Sequence, residues 1–366
     1  MDPFTPADSE YMARGLQLAR RGLYTAHPNP RVGCVLVKDG RIVGQGWHHK
    51  TGEAHAEVAA IEDAGAEAGG ATAYVTLEPC SHHGKTPPCA DALIAAGVQQ
   101  VVAAMDDPNA RVSGNGHEAL EDAGIAVRTG LLQGEAAALN AGFLSRMRHG
   151  RPFVRMKIAA SLDGKTAMAS GESQWISGEA ARNDVQRLRA ASGAVMVGIG
   201  TVLADDPGLN VRGDDIDNDG MQPLRVVLDS KLKLPASARL LELPGTTAVF
   251  CTNDSGRSAL EAAGASVHVV ASGDNGVDLA AVLHQLAELE INDVLVEAGP
   301  TLAGSLLASG LLDELVIYQA PHIMGSETRG MFTTPDWLTI KQRLNLELVD
   351  VRKIGEDLRI TAKPLR

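Results

Sequence analysis

One histidine, one glutamate and two cysteines constrain this chain more than any other feature. His55 stands two residues before Glu57 at an expected helix start, Pro79-Cys80 follows a buried-looking strand, and Cys89 comes nine positions later where another helix begins. One imidazole and two thiolates converge in this reading. Such a set gives zinc three protein ligands and leaves a fourth tetrahedral position for water, as hydrolytic zinc needs and structural zinc does not. Zinc lowers the pKa of its bound water from 15.7 to about 7, so hydroxide is available to attack an amidine-like ring carbon. Glu57 is close enough to take the proton from that water and pass it to the departing amine. The competing reading is a closed structural zinc with His82 or His83 as fourth ligand, and Glu57 separates the two.

Around these residues strands and helices alternate, which points to layered α/β architecture. Asp8 is the expected cap of a helix running to about Gly22. Val32 to Lys38 and Arg41 to Trp47 read as a hairpin turning at Asp39-Gly40. Strands follow at Thr72 to Leu77, Val98 to Met105 and Ile125 to Arg128, with helices from His55, from Pro88 to Ala96 and from His117 to Ala123. Gly130 to Gly150 reads as a polar, Ala-rich connection, and a new strand starts at Phe153. The expected domains are therefore 1–147 and 148–366 of the 366 residues. The second half repeats the alternation, with strands near 194–197, 224–229, 246–251, 266–271, 292–297 and 313–319 and a final pair at 345–352 and 357–363.

The formal charge of −12 repels a phosphate backbone, and no long Lys/Arg run offsets it, so a small-molecule substrate is expected rather than nucleic acid. There is no run of about 18 apolar residues and no basic-then-apolar leader, which predicts a cytoplasmic protein without membrane partners. Cys34, Cys80, Cys89 and Cys251 do not make a disulfide framework, and Cys34 and Cys251 read as packing residues. Asp215-Ile-Asp-Asn-Asp-Gly220 imitates the opening of a calcium loop, but Val226 stands where the bidentate Glu belongs and Pro223 interrupts it. The Asp214 to Asp219 stretch is read as an exposed acidic insertion.

His-x-Glu followed by Pro-Cys-x-x-Cys is the zinc deaminase signature. Here eight residues, Ser-His-His-Gly-Lys-Thr-Pro-Pro, separate the cysteines instead of two, which departs from simple cytidine and tRNA deaminases. Together with Asn29-Pro-Arg-Val-Gly33, Gly150-Arg-Pro152, Lys157-Ile-Ala-Ala-Ser-Leu-Asp-Gly164 and Glu297-Ala-Gly-Pro-Thr301, the run Leu77 to Cys89 closely resembles the bifunctional riboflavin-biosynthesis deaminase/reductase family. The resemblance implies a cytidine-deaminase-like three-layer α/β/α domain followed by a dihydrofolate-reductase-like α/β domain, with one Zn2+ in the first and NADPH in the second. It implies hydrolytic deamination of 2,5-diamino-6-ribosylamino-4(3H)-pyrimidinone 5′-phosphate, then reduction of the ribosyl group of 5-amino-6-(5-phosphoribosylamino)uracil to ribityl. It also implies a homo-oligomer formed through the reductase half. Asn29 is expected near the substrate ring, or else is a turn residue before Pro30. His82 and Lys85 offer donors for the phosphate or ribose.

No Gly-x-Gly-x-x-Gly opens a βαβ unit in the second half, since Gly198-Ile-Gly200 has Leu203 where the third glycine belongs. Two strand-to-helix turns, Gly198 to Thr201 and Glu297 to Ser305, place glycines and a helix N-terminus where a pyrophosphate can approach. By resemblance, NADPH contacts fall to Ala159, Trp175, Thr201, Asp205, Ser230 and the turn Gly299, Pro300, Thr301, Leu302, Ala303, Gly304 and Ser305. Substrate contacts fall to Ser173, Arg189, Leu209, Arg212 and Glu297, the two arginines suiting a ribose 5-phosphate. Lys157 and Asp205 are the candidate proton donors, although Lys157 could equally pair with a neighbouring carboxylate. The alternative function is a zinc deaminase whose second domain is degenerate and senses a nucleotide.

Overall fold

The structure is a computed structural model describing residues 3–81, 87–109, 114–213, 215–274 and 276–365. The chain divides into two compact units, Met1–Gly150 and Arg151–Arg366.

In the first unit, helix α1 (Pro6–Ala19) is capped by Thr5 and not by Asp8. The Thr5 hydroxyl accepts the Asp8 N–H at 3.1 Å while the Asp8 carboxylate accepts the Thr5 N–H at 2.8 Å, a reciprocal box. Pro6 fills the first helical position, where no N–H is needed. Strands β1 (Gly33–Lys38) and β2 (Arg41–Trp47) pair through a turn at Asp39 and Gly40, whose φ values of 49° and 73° suit a two-residue hairpin. Next come α2 (Ala56–Ala64), β3 (Thr72–Val75), α3 (Cys89–Ala96), β4 (Gln100–Ala103), α4 (Asn115–Asp122) and β5 (Ala126–Thr129). The sheet order is β2-β1-β3-β4-β5, with β3, β4 and β5 parallel.

The expected connection after Gly130 is instead two helices, α5 (Gln133–Leu139) and α6 (Ala141–His149). Ala136, Phe143 and Leu144 join the core, and the side chain of Asn140 between the helices binds both backbone groups of Arg31, N–H at 2.8 Å and C=O at 2.9 Å. The boundary expected at 147 falls inside α6.

Helix α2 lies against β2 because that strand carries glycines at the contact. A Cβ on Gly46 would stand 2.5 Å from the Ala56 carbonyl oxygen, and one on Gly44 2.3 Å from that of Ala60. This close approach fixes the first turn of α2, and with it His55 and Glu57.

The second unit begins with β6 (Phe153–Ser161) and β7 (Lys165–Ala167), then α7 (Glu179–Ala190), β8 (Ala194–Gly198), α8 (Ile199–Asp205), β9 (Leu224–Leu228) and α9 (Arg239–Glu242). It continues with β10 (Thr247–Cys251), α10 (Arg257–Ala262), β11 (Ala265–Val269), the short hairpin β12 (Ser272–Gly273) and β13 (Gly276–Val277), and α11 (Leu279–Glu288). Strand β14 (Asp293–Val296), α12 (Pro300–Ala308), β15 (Glu314–Ala320), β16 (Arg329–Gly330), β17 (Leu346–Ile354) and β18 (Asp357–Pro364) complete it. Nine strands form one sheet in the order β11-β10-β9-β8-β14-β6-β15-β18-β17, parallel except where β18 meets β15 and β17.

The central strands of the sheet are buried on both faces. Met196 and Val294 turn to one apolar layer with Met156 of β6, while Val195 and Val197 turn to the other with Leu209 and Leu240. Adjacent strands β8 and β14 send their chains away in opposite directions, β8 towards β9 and β14 towards β15. Ligands of open parallel sheets sit at such a switch point, outside the carboxyl ends of the strands. No described helix is long and apolar enough to cross a membrane.

Candidate active sites

In the first unit the three expected ligands meet. His55 is the N-cap of α2, Cys89 is the first residue of α3, and Cys80 ends the segment after β3. The Nδ1 atom of His55 lies 3.2 Å from the Cys89 sulfur and 3.6 Å from that of Cys80, and all three donor atoms fall within 4.8 Å of one another. Donors about 2.0–2.3 Å from one tetrahedral ion stand roughly 3.5–3.8 Å apart, so the set fits zinc. No fourth His, Cys, Asp or Glu joins this group among the described residues. His82, His83 and Lys85 lie outside the described residues.

Glu57 is 4% exposed, in the first turn of α2. Burial first, and then the Cys80 sulfur, push its carboxyl up to about 7. Cys80 is held down at about 4, foremost by a hydrogen bond from Cys89, whereas Cys89 is raised by that same bond and by burial. A cation between them would take the place of the shared proton.

Glu78 braces the cysteine segment from behind, its two oxygens accepting the N–H groups of Asp107 at 3.0 Å and Gly116 at 3.1 Å. It also stands with Asp106 and His117 in a second cluster of ligand-type residues, but those two bonds occupy its carboxylate.

Two neighbours were not singled out by sequence. His48, 2% exposed, has Nδ1 3.1 Å from the Ala54 carbonyl and Nε2 3.0 Å from Asn29 Nδ2. With Nδ1 donating to the carbonyl, Nε2 accepts from the Asn29 amide. The His48 ring meets that of His55 edge-on at 5.1 Å, which puts Asn29 beside the ligand group. Asp107 is buried, and burial first raises its carboxyl to about 6. A histidine after a strand and an aspartate in a loop carry no distinctive spacing, so only the folded chain marks them.

In the second unit a cavity of about 1870 Å³ opens over the carboxyl ends of β8, β9 and β14. Pockets for a single small ligand usually measure roughly 300–1,000 Å³, so this cavity is larger than one such pocket. Ala159, Trp175, Thr201, Asp205 and Ser230 line it, and so do Ser173, Arg189, Leu209, Arg212 and Glu297. The Leu209 side chain is itself part of the core.

The two glycine turns lie side by side at the cavity wall, after the paired strands β8 and β14. A Cβ on Gly299 would stand 3.9 Å from Thr201 Oγ1, and one on Gly198 3.9 Å from a Leu302 methyl, while Gly200 borders open space. Gly299, Pro300, Thr301, Leu302 and Ser305 reach the cavity wall. Ala303 and Gly304, expected with them, turn inward because they lie on the core face of α12. Ala303 is fully buried, and a Cβ on Gly304 would fall 1.8 Å from the Thr333 carbonyl oxygen.

Lys157 and Arg189 converge on Glu297. Arg189 reaches both carboxylate oxygens, at 2.6 and 3.1 Å, and donates to the Asn210 carbonyl at 2.9 Å. Lys157 Nζ lies 3.3 Å from Glu297 Oε2, the carboxylate pairing left open by the sequence. Burial alone would raise the Glu297 carboxyl, but Arg189 and then Lys157 hold it down at about 2. Trp175, 69% exposed, carries the Arg182 guanidinium 4.7 Å from its ring centroid. Sequence reading missed the β12–β13 hairpin and Arg239, which also line the cavity.

Residues 5–105 match the model of the cytidine and deoxycytidylate deaminase zinc-binding region, and residues 152–360 that of the RibD C-terminal domain. The riboflavin biosynthesis protein RibD of Escherichia coli strain K12 is 50% identical over 360 residues, covering 96% of this chain and 98% of its own length. Among solved structures, Acinetobacter baumannii RibD, form 1, superposes with a TM-score of 0.93 at 47% identity, covering 98% of this chain and 99% of that one. The Thermotoga maritima diaminohydroxyphosphoribosylaminopyrimidine deaminase/5-amino-6-(5-phosphoribosylamino)uracil reductase does so at 0.87 and 35% identity, with the same coverage.

Proposed function

The chain belongs to the RibD family of riboflavin-biosynthesis enzymes, deaminase and reductase in one polypeptide, and from that premise we propose which residues carry each reaction. The observation that carries the deaminase assignment is the convergence of His55, Cys80 and Cys89 beside a buried Glu57.

Those three residues would hold one zinc ion, which when bound supplies a water acidified to near neutral pH. Glu57 would act as the proton carrier, accepting a proton from the attacking water and giving one to the departing amine of 2,5-diamino-6-ribosylamino-4(3H)-pyrimidinone 5′-phosphate. Asn29, oriented by His48, holds the pyrimidine ring. His82 and Lys85 take the phosphate end.

In the second unit the adjacent glycine turns would cradle the NADPH pyrophosphate, their backbone N–H groups and the α12 N-terminus attracting the anion. NADPH, if bound there, would supply hydride for reduction of the ribosyl group to ribityl. Thr201, Ser230, Asp205, Ala159 and Trp175 position the rest of the cofactor. Ser173, Leu209 and Arg212 border the substrate. Glu297, fixed by Arg189, orients Lys157, which gives the proton that accompanies hydride transfer.

Two further assignments rest on other features. The net charge of −12 supports pyrimidine ribosyl phosphates as partners rather than nucleic acid, and the four free thiols suit the reducing cytoplasm. Strand β17 is the open edge of the large sheet and exposes Leu346, Leu348, Val349 and Val351, a surface suited to pairing with a second copy.

The test generates the diamino-pyrimidinone phosphate enzymatically from GTP, adds the protein and NADPH, and follows ammonia release and NADPH oxidation together. Wild type is expected to show both and Glu57→Ala neither, while the variant still oxidises NADPH when given the deaminated product. Ammonia without NADPH oxidation in the wild type would make the second unit a degenerate nucleotide sensor.

A further inference from the structure

Helix α7 carries cavity residues on one stripe and a buried carboxylate on another. Arg182, Gln186 and Arg189, at i, i+4 and i+7, line the cavity. Arg189 binds Glu297 and the Asn210 carbonyl, and Gln186 Oε1 accepts the Arg212 N–H at 3.0 Å. The height and turn of this helix therefore set where Arg189, Glu297 and Arg212 stand. Ala181, Val185 and Leu188 pack into the core beside Tyr318, and Asp184 lies on their stripe. Its side chain is 14% exposed and is not part of the cavity wall.

A carboxylate among apolar side chains destabilises a fold unless it is paired. Asp184 Oδ2 accepts the Tyr318 hydroxyl at 2.6 Å and Nη1 of Arg359 at 2.9 Å. Tyr318 and Arg359 are direct partners in the β15–β18 ladder, so their side chains leave one face of the sheet and reach the same oxygen. No other carboxylate pairs with Arg359 among the described residues. Tyr318 is fully buried; burial, and then the bond to Asp184, raises its hydroxyl far above the ordinary range, so it stays a donor. Strand β18 also holds the start of the helix, where Asp357 accepts the Gly178 N–H at 2.8 Å. In the β17–β18 turn, a Cβ on Gly355 would stand 2.8 Å from the Ala180 Cβ. Helix α7 is thus fastened to the antiparallel end of the sheet, whereas the glycine turns leave the parallel strands β8 and β14. Apolar packing alone tolerates small slides of a helix, but a satisfied buried polar cluster admits one placement.

We propose that Asp184 is a positioning residue of the reductase: clamped by Tyr318 and Arg359, it fixes α7 and through it the substrate side of the cavity, while touching neither substrate nor cofactor. The inference rests on the reductase reading above. Because the clamp sits on β15 and β18 and the cofactor turns do not, its loss should be felt by the substrate and not by NADPH.

Full-length wild type, Asp184→Asn and Tyr318→Phe are compared in NADPH oxidation with preformed 5-amino-6-(5-phosphoribosylamino)uracil. In Asp184→Asn the Michaelis constant for that substrate should rise about tenfold, with the constant for NADPH unchanged. Tyr318→Phe, which keeps the ion pair, should show the same split at smaller size, and the double variant should be no worse than Asp184→Asn. A merely structural role would lower the fraction of active enzyme and leave both constants in place. A loss of rate without a rise in the substrate constant therefore overturns the proposal, and so does an equal rise in both. Should Asp184→Asn not fold, the split in Tyr318→Phe decides by itself. A measurement without turnover keeps this apart from the parent reading: amide hydrogen exchange in α7 should quicken in the variants while that of β8 and β14 does not change. If wild type turns nothing over, that difference retains the clamp and removes only the reductase reading; no difference removes the clamp.

Discussion

The two units solve the same problem, holding a reactive group against a pyrimidine ribosyl phosphate, in opposite ways. In the first, the ligand set and Glu57 come from two short stretches, 55–57 and 80–89, that end on helix starts pressed against a small sheet. In the second, the cavity draws on residues from Lys157 to Thr333, contributed by strand ends, loops and a hairpin, and its charges are balanced in a network. A site built from a few bond-forming donors should fail at single residues without disturbing the fold. A site built from distributed shape should fail by losing stability and binding together.

The sharpest break in that comparison is Glu57→Gln. Deaminase turnover should fall about 10²–10⁴-fold while zinc stays at one per chain by elemental analysis and NADPH oxidation of the deaminated substrate is kept. Full deaminase activity in a zinc-loaded variant would remove Glu57 from the chemistry.

Next in size is Glu297→Gln, which leaves Arg189 and Lys157 without their buried counter-charge. The second unit should lose about 3–5 kcal/mol in urea unfolding and most reductase activity with it. A loss in activity with no loss in stability would mean that the network is catalytic only.

A slightly smaller effect is expected from acid. The Glu297 carboxyl is depressed from 4.5 to about 2, so its contribution is complete above pH 4.5 and disappears as pH falls through 2. Its share is on the order of 3 kcal/mol, and the pH dependence of unfolding between those values should be shallower in Glu297→Gln than in wild type.

The smallest effect is Thr5→Ala, about 1 kcal/mol from the thermal unfolding of the first unit with both activities unchanged at low temperature. A neutral result would show that the capping box does not secure α1.

The contrast also explains what could be read beforehand. His55, Glu57, Cys80 and Cys89 were legible because metal ligation and proton transfer demand particular atoms, and few residue types supply them. Asn29 was left open, and its partner His48 carried no spacing that tells a buried tautomer-fixed ring from a surface one. In the second unit the glycine turns had a physical reading of their own, but Arg189 alone looked like a solvated helix residue. Only resemblance placed it in the site, as a substrate contact, and its pairing with Glu297, 108 residues away, appears only in the folded chain. Helices α5 and α6 were read as a connection for a related reason. Asn140 interrupts their apolar spacing, and what pays for the interruption is a bond pair with Arg31, 109 residues earlier. Thr5 was passed over because Asp8 is also a good cap, and the reciprocal geometry uses both.

The position of β6 has a consequence for how the chain is made. It is the first strand of its unit, yet it lies between β14 and β15, whose residues follow it by about 140 and 160 positions. At roughly 5–20 residues per second of synthesis, Phe153 to Ser161 waits on the order of 10–30 s before either neighbour leaves the ribosome. The strands of the first unit meet their partners much sooner, since its sheet is assembled from near neighbours. During translation, then, the apolar β6 segment is the stretch most in need of a chaperone, long after the unit in front of it can have folded.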